Sequence, residues 1–399
     1  KYYTYPIEEW FFETESAADR LKKHFEVSSL KGFGIEKMDC GISAAGAVLY
    51  YLDMTKHELV GHITSISRID ESTCVLLDRF TLRNLEILDT LHEGGRSLAD
   101  IIDRTITPMG ARALRRWLCM PLKKPADINE RLDIVECFVH HETERLELEQ
   151  ILRTIGDLER LASKIAVGRI SPREMVQLKI ALQSIKPLKE QCLSTVNEVL
   201  TKWTQQLDDC ETLSQRIDHE IREDAPSMLN KGNVIAPGVN TELDELREIS
   251  SHGKELLLKM QQREIENTGI PTLKISFNNV FGYYIEVTKT HVSKVPDTWI
   301  RKQTLVNAER YITPELKEYE EKIHGAEDRI QELESDIYNT LLAAAASYIK
   351  PIQLDARVIS YIDTLISFAN IAITNNYHRP EINESFVIDI KGGRHPVIE

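Results

Sequence analysis

The sequence predicts a multidomain, mainly α protein. It has an N-terminal α/β unit, an α-helical core with long helices, and a small antiparallel β unit inserted between two of them. Three observations carry this reading. Apolar residues recur at three- and four-residue steps through most of residues 82–227. A seam of 3, 4, 3, 4, 3, 4 steps runs from Leu316 to Ile337. Between two helical stretches, residues 273–306 instead alternate apolar and polar side chains.

Residues 1–77 mix helix and strand signals. Leu21 and Phe25 share one face of a helix predicted over Glu13–Phe25. Ser65–Leu77 reads as two strands around a polar turn at Asp70-Glu71-Ser72, and Phe33-Gly34-Ile35 and Val48-Leu49-Tyr50 add further α/β signals. From Leu82 to Ser227 the pattern is helical: Leu98, Ile101 and Ile102; Met109, Ala113, Leu114, Trp117 and Leu118; Ile128, Leu132, Val135 and Val139. Pro108, Pro121, Pro125, Pro172 and Pro187 punctuate the helices, and Ser171-Pro172 is a start signal.

A long helix is predicted to open at Thr241, with the threonine hydroxyl as its cap and Asp244 three residues on. Leu243, Leu246, Ile249, Leu256, Leu257, Met260 and Ile265 form its stripe, and Gly269 and Pro271 stop it near Asn267. At 1.5 Å per residue it spans about 40 Å. A second long helix opens at Thr313-Pro314-Glu315 and carries the seam Leu316, Tyr319, Ile323, Ala326, Ile330, Leu333 and Ile337. Such a seam needs a partner, and the helix ending near Asn267 is the nearest. Paired antiparallel, the two form an arm with the β stretch at its far end.

Within that stretch Leu273, Ile275 and Phe277 alternate with polar residues, and Tyr283, Ile285 and Val287 do so after a turn carrying Asn278, Asn279 and Gly282. A third strand is expected over Ile300–Val306. Ala343–Asn376 returns to helix, and Phe386–Ile390 reads as a strand. The chain stops at Glu399 just after that run, which reads as a cut end.

Charge singles out the β stretch. The chain holds 63 Asp and Glu against 49 Lys and Arg, a net −14. Residues 268–313 invert this, setting Lys274, Lys289, Lys294, Arg301, Lys302 and Arg310 against Glu286, Asp297 and Glu309. A +3 stretch on a −17 remainder implies a local grip on a polyanion rather than a basic coat. Lys289, Lys294, Arg301 and Lys302 suit phosphates. Thr288, Gln303, Thr304 and Asn307 can hydrogen-bond phosphate or sugar oxygens without reading sequence. The rival class is a coiled-coil scaffold whose tip binds a protein.

Other features read as structural. Arg112, Arg115 and Arg116 are expected to pair with acids within the chain, and one of Tyr283 and Tyr284 to face inward in sheet packing. Adjacent His140 and His141 cannot share a helix face. The scattered Cys40, Cys74, Cys119, Cys137, Cys192 and Cys210 read as buried reduced thiols of a cytoplasmic protein. The acids follow helix-surface spacing, and no Gly-x-Ser-x-Gly or His-Glu-x-x-His occurs. A nuclease acting through the α/β unit would need clustered carboxylates, and the nearest pair, Asp70 and Glu71, reads as a turn. No apolar run approaches the roughly 20 residues that span a bilayer.

Five strings, in order, resemble the bacterial MutS family of DNA mismatch-recognition proteins. They are DRFTLRNLEIL at Asp78–Leu88, DRTITPMGARALRRWLCMPL at Asp103–Leu122, FGYYIEV at Phe281–Val287, RKQTLVNAERYITPELKEY at Arg301–Tyr319, and GGRHPVIE at the end. The resemblance covers essentially the whole chain. It implies a ribonuclease-H-like connector over 1–77, helical core and levers over 78–253 and 314–377, a DNA-backbone clamp over 254–313, and the start of an ATPase domain over 378–399. It further implies double-stranded DNA as partner, a homodimer, a partner of the MutL type, and ATP with Mg in the full-length protein.

No cofactor is expected for these 399 residues, because the phosphate-cradling Gly-x-x-x-x-Gly-Lys-Ser/Thr is absent and Gly253-Lys254-Glu255 does not replace it. The segment itself is therefore not expected to be an enzyme. Phe11-Phe12-Glu13 fits the family's mismatch-reading Phe-x-Glu by letter, but lies in the connector region.

Overall fold

A computed structural model describes residues 6–55, 60, 61, 63, 64, 66, 73–278 and 282–399, with backbone alone for 249, 251–256, 319 and 321–324. The chain divides into two units, Lys1–Asp218 with Leu342–Glu399, and His219–Leu341. Helices dominate: α1 (Thr14–His24), α2 (Asp39–Met54), α3 (Arg79–Asn84), α4 (Leu98–Ile102), α5 (Pro108–Cys119), α6 (Pro125–His140), α7 (Glu142–Ile155), α8 (Leu158–Ala166), α9 (Pro172–Gln183), α10 (Ile185–Ser194), α11 (Glu198–Thr204) and α12 (Glu211–Glu220). Two long helices, α13 (Thr241–Thr268) and α14 (Pro314–Ala346), flank four strands in sequence, and α15 (Ile349–Asn375) follows.

Capping chemistry sets the starts. Thr107 accepts from the Gly110 amide at the proline-led start of α5, and Ser171 and Glu174 close a reciprocal capping box on α9. The long-helix start differs by one residue from expectation. Asn240, extended at φ −143°, accepts from the Leu243 amide and is the cap, while Thr241 is already helical. Asp244 turns back to the Gly238 amide instead. At the far end Gly269 takes the left-handed conformation (φ 64°), as a stop signal should.

The N-terminal residues depart from an α/β reading where they are described. Val48-Leu49-Tyr50 lies inside α2, and Phe33 ends a short 3-10 turn, Leu30–Phe33. Short apolar runs do not separate strand from helix. Here Ile42 and Leu49 fall on the helix face that packs against Ala17 and Leu21 of α1. The two strands expected over Ser65–Leu77, with the turn at Asp70-Glu71-Ser72, lie largely outside the described residues. Cys74 makes an isolated antiparallel bridge to Leu122. Phe386–Ile390 is no strand: Phe386, Val387, Ile388 and Ile390 stand exposed without a ladder partner, and a strand exists only by pairing.

In the first unit α15 packs against α5, α6 and α8. It is the helix long and apolar enough by composition to cross a membrane, yet 67% of the qualifying window is buried in protein. Its acids correct the expectation that acidic residues mark helix surfaces, since Asp355 and Asp363 are fully buried. Each gathers backbone amides from a distant segment. Asp363 accepts from Ile106 and Thr107, and Asp355 from Asp208 at 2.9 Å. A buried carboxylate that replaces missing helix-end or loop partners is the economical solution for amides that no ladder reaches.

Asp355 makes stability pH-dependent. Burial, reinforced by the charges of Asp208 and Asp209 and opposed by the Asp208 amide and Lys189, pushes its pKa up to about 7. The unfolded chain binds that proton only below the ordinary carboxylate range, so between the two values the folded state holds the extra proton. Stability contributed by the protonated form is therefore present in acid and lost as pH rises through about 7. Urea unfolding from pH 5 to 8 should show a loss of about 2–3 kcal/mol in the native chain and a flatter profile in D355N. Parallel profiles would remove Asp355 as the cause.

All six cysteines are free thiols, but burial holds for Cys137, Cys192 and Cys210 alone; Cys74 and Cys119 are half-buried and Cys40 is exposed, contrary to expectation. Burial pushes Cys192 and Cys210 up to about 12, which keeps them unreactive.

Candidate nucleic-acid interface

The second unit holds one antiparallel sheet in the order β1-β2-β4-β3. Its strands are β1 (Lys274–Asn278), β2 (Gly282–Thr288), β3 (Ile300–Thr304) and β4 (Ala308–Ile312). The third strand stops two residues short of the expected Val306, and β4 is a central strand that sequence reasoning missed. Its alternation is present, but Glu309 and Arg310 at its middle read as loop chemistry. Both are satisfied inside the sheet. Glu309 is buried and accepts from the Tyr311 hydroxyl at 2.5 Å. Arg310 donates to Glu286 at 3.1 Å and Gln303 at 2.9 Å, and lies 4.2 Å over the Tyr284 ring.

The sheet's inner face is a core of Ile285, Val287 and Tyr311 against Leu257 and Met260 of α13 and Leu316 of α14. Those helices are cross-tied by Arg263 to Glu315 (2.6 Å), Arg329 to Glu242 (2.9 Å) and Arg247 to Glu334 (2.5 Å). The end of α13 meets the start of α14 and the reverse, so the pair is antiparallel, as the seam predicts. Leu316, Ala326 and Leu333 of that seam are buried. Tyr283 packs on this core, whereas Tyr284 lies on the opposite face, buried beneath Arg310. Neither ring is free to stack on a base.

The predicted contact residues separate into two groups. Lys289, Arg301, Lys302, Thr304 and Asn307 are exposed. The β3–β4 register shifts between Arg301 and Gln303, a bulge that leaves Lys302 unpaired on an edge strand and turns it away from the ladder. Arg301 is 63% exposed and only 3.7 Å from Glu309, a long ion pair that a phosphate oxygen can displace. The Lys289 amide donates to the Asn307 carbonyl at 3.1 Å, which brings these two side chains to one end of the sheet.

The second group already has partners. Lys294 donates to the Gly269 carbonyl at the end of α13, Gln303 accepts from Arg310, and the Thr288 hydroxyl bonds those of Thr272 and Thr290. The bulge and the sequestration of Arg310 are invisible in a count of charges.

Elsewhere the structure sorts the remaining candidates. Arg112 reaches Asp157 and Glu159, both at 2.7 Å, as expected, while Arg115 and Arg116 are exposed with no ion pair among the described residues. Phe11 is buried, its ring stacked on Tyr50, so Phe11-Phe12-Glu13 offers no wedge. His141 bonds the Cys137 carbonyl, and among the described residues no cluster of His, Cys, Asp and Glu could hold a metal.

Comparison with known proteins places these features. A family profile described as MutS domain III matches residues 80–369, and one described as MutS domain II matches residues 4–64. A DNA mismatch repair protein MutS from Phocaeicola vulgatus is 57% identical over 399 residues, all of this chain and 46% of that protein. Proteins of the same name from Parabacteroides distasonis and Cytophaga hutchinsonii are 55% and 52% identical over 399 residues, covering 46% and 47% of their lengths. The chain thus spans slightly less than half of the relatives it matches.

Proposed function

This chain belongs to the MutS family of DNA mismatch-repair proteins, and on that footing we propose that its four-stranded sheet grips the sugar–phosphate backbone of duplex DNA without reading sequence. The supporting observation is the bulged edge strand. Arg301 and Lys302 stand exposed on it, with Lys289 and Asn307 at the adjoining end, on a chain that is otherwise acidic. Cations and amide groups on an edge bind phosphates through charge and hydrogen bonds, which need no base-edge readout.

In this reading residues 254–313 are the clamp, 78–253 and 314–377 the core and levers, 1–77 the connector, and 378–399 the start of an ATPase domain. The levers couple the grip to ATP and Mg bound outside these residues. By linkage, DNA then shifts nucleotide affinity as much as nucleotide shifts DNA affinity. The full-length protein would act as a homodimer with a MutL-type partner.

Fluorescence anisotropy on labelled duplexes of two unrelated sequences tests the grip. Affinity should be weak and equal for both, and log K should fall linearly with log salt at about 0.9 per neutralised phosphate. A scaffold with a protein-binding tip would show no binding, or binding indifferent to salt.

A further inference from the structure

A buried acid lies beside the exposed cations of the grip. Glu309 stands mid-strand in β4, opposite Val287 of β2 and Thr304 of β3, and is only 8% exposed. A carboxylate taken out of water costs stability unless partners offset the loss. Glu309 has two. The Tyr311 hydroxyl donates to its Oε2 at 2.5 Å, and Arg301 Nη1 lies 3.7 Å from the same oxygen. Burial, and then the Glu309 carboxylate, push the Tyr311 phenol up to about 12, so it remains a donor.

The three side chains share one face of the sheet. Arg301 and Tyr311 are cross-strand partners, and Glu309 is two residues from Tyr311 along β4. Tyr311 belongs to the core, with the Trp299 ring 6.0 Å away, and so fixes where the carboxylate stands. Arg301 is the movable member. Its side chain is 63% exposed, and 3.7 Å is too long for a hydrogen bond. A pair with one solvated member adds little stability. It does decide where the cation rests, because a phosphate that takes Arg301 must draw it from that carboxylate.

We propose that Glu309 is a positioning residue of the DNA grip, a brake that holds Arg301 back from phosphate and keeps the hold on duplex DNA weak. This rests on the DNA reading of the sheet and adds to it a residue that carries no positive charge.

E309Q keeps the side chain's shape and an oxygen for the Tyr311 hydroxyl while removing the charge. Fluorescence anisotropy on a labelled duplex should show E309Q binding about two- to fivefold more tightly than the native chain, the range of an ion pair that solvent screens. The gain should be lost in an R301A background, which separates this pair from a general gain in positive charge. Y311F is a second variant with the opposite sign. Without the phenol Glu309 turns wholly to Arg301, so binding should weaken. Circular dichroism checks that each variant folds. An E309Q gain that persists without Arg301, no gain in E309Q, or tighter binding by Y311F would overturn this inference and leave the DNA reading standing. No binding by the native chain would overturn both.

Discussion

Replacing Asp363 by alanine should destabilise the first unit by about 3–5 kcal/mol, the combined effect of several lost hydrogen bonds at a buried acceptor, each about 1–3 kcal/mol. Its carboxylate accepts from the Ile106 amide (2.9 Å), the Thr107 amide (2.8 Å) and the Thr107 hydroxyl (2.7 Å). Thr107 in turn caps α5 through the Gly110 amide at 3.0 Å. Ser367, one turn further along α15, accepts from the Arg104 amide and donates to the Ile102 carbonyl, fixing the same segment.

Alanine at 363 therefore leaves the buried amide and hydroxyl of Thr107 and the half-buried Ile106 amide without an acceptor, each buried one costing about 1–3 kcal/mol. Asparagine keeps one acceptor oxygen and should fall between. Gly110→Ala should resemble the alanine variant, because a Cβ at that position runs into the Asp363 carboxylate. Urea unfolding followed by circular dichroism reads the change. A shift under about 1 kcal/mol would mean that water replaces the carboxylate without penalty, contrary to its complete burial.

Glu334→Ala should cost a similar amount, about 3–5 kcal/mol, but in the other unit. Glu334 is fully buried and accepts from Arg247 (2.5 Å) and from the Val234 amide (3.2 Å), so it ties α14 to α13 and to the loop before it. Removing it leaves the largely buried Arg247 guanidinium with the Ile235 carbonyl and the longer contact to Asp244 alone. Hydrogen exchange by peptide reads the second unit by itself. Peptides covering residues 230–250 and 325–341 should exchange faster, and those covering residues 108–170 should not change. Uniform acceleration would show that the unit does not open by itself.

These two carboxylates mark where the sequence stops being legible. Apolar periodicity located both long helices because a seam repeats over many residues, and Ser171-Pro172 announced a start that the serine oxygen does cap. The cap expected at Thr241 is Asn240 instead, since either residue type can cap and only backbone conformation chooses. Asp355, Asp363 and Glu334 looked like surface acids, because what buries them is a distant segment in need of acceptors.

The grip residues were legible as types but not as states. Arg310 counted as a free cation until β4 placed it across from Glu286 and Gln303. Lys302 gained its exposure from a bulge that no local pattern encodes. Phe386–Ile390 had strand composition and no strand, because pairing is not a property of the run itself.

The salt dependence of duplex binding after replacing Arg301, Lys302 and Asn307 together by alanine is the most direct measurement. The sheet's core does not include these side chains, so circular dichroism should show an unchanged fold. Loss of two exposed cations should flatten the log–log slope by about 2 and weaken binding at low salt, with Asn307 adding affinity but no slope. An unaltered slope and affinity in the folded variant would contradict the assignment of this edge to the DNA backbone.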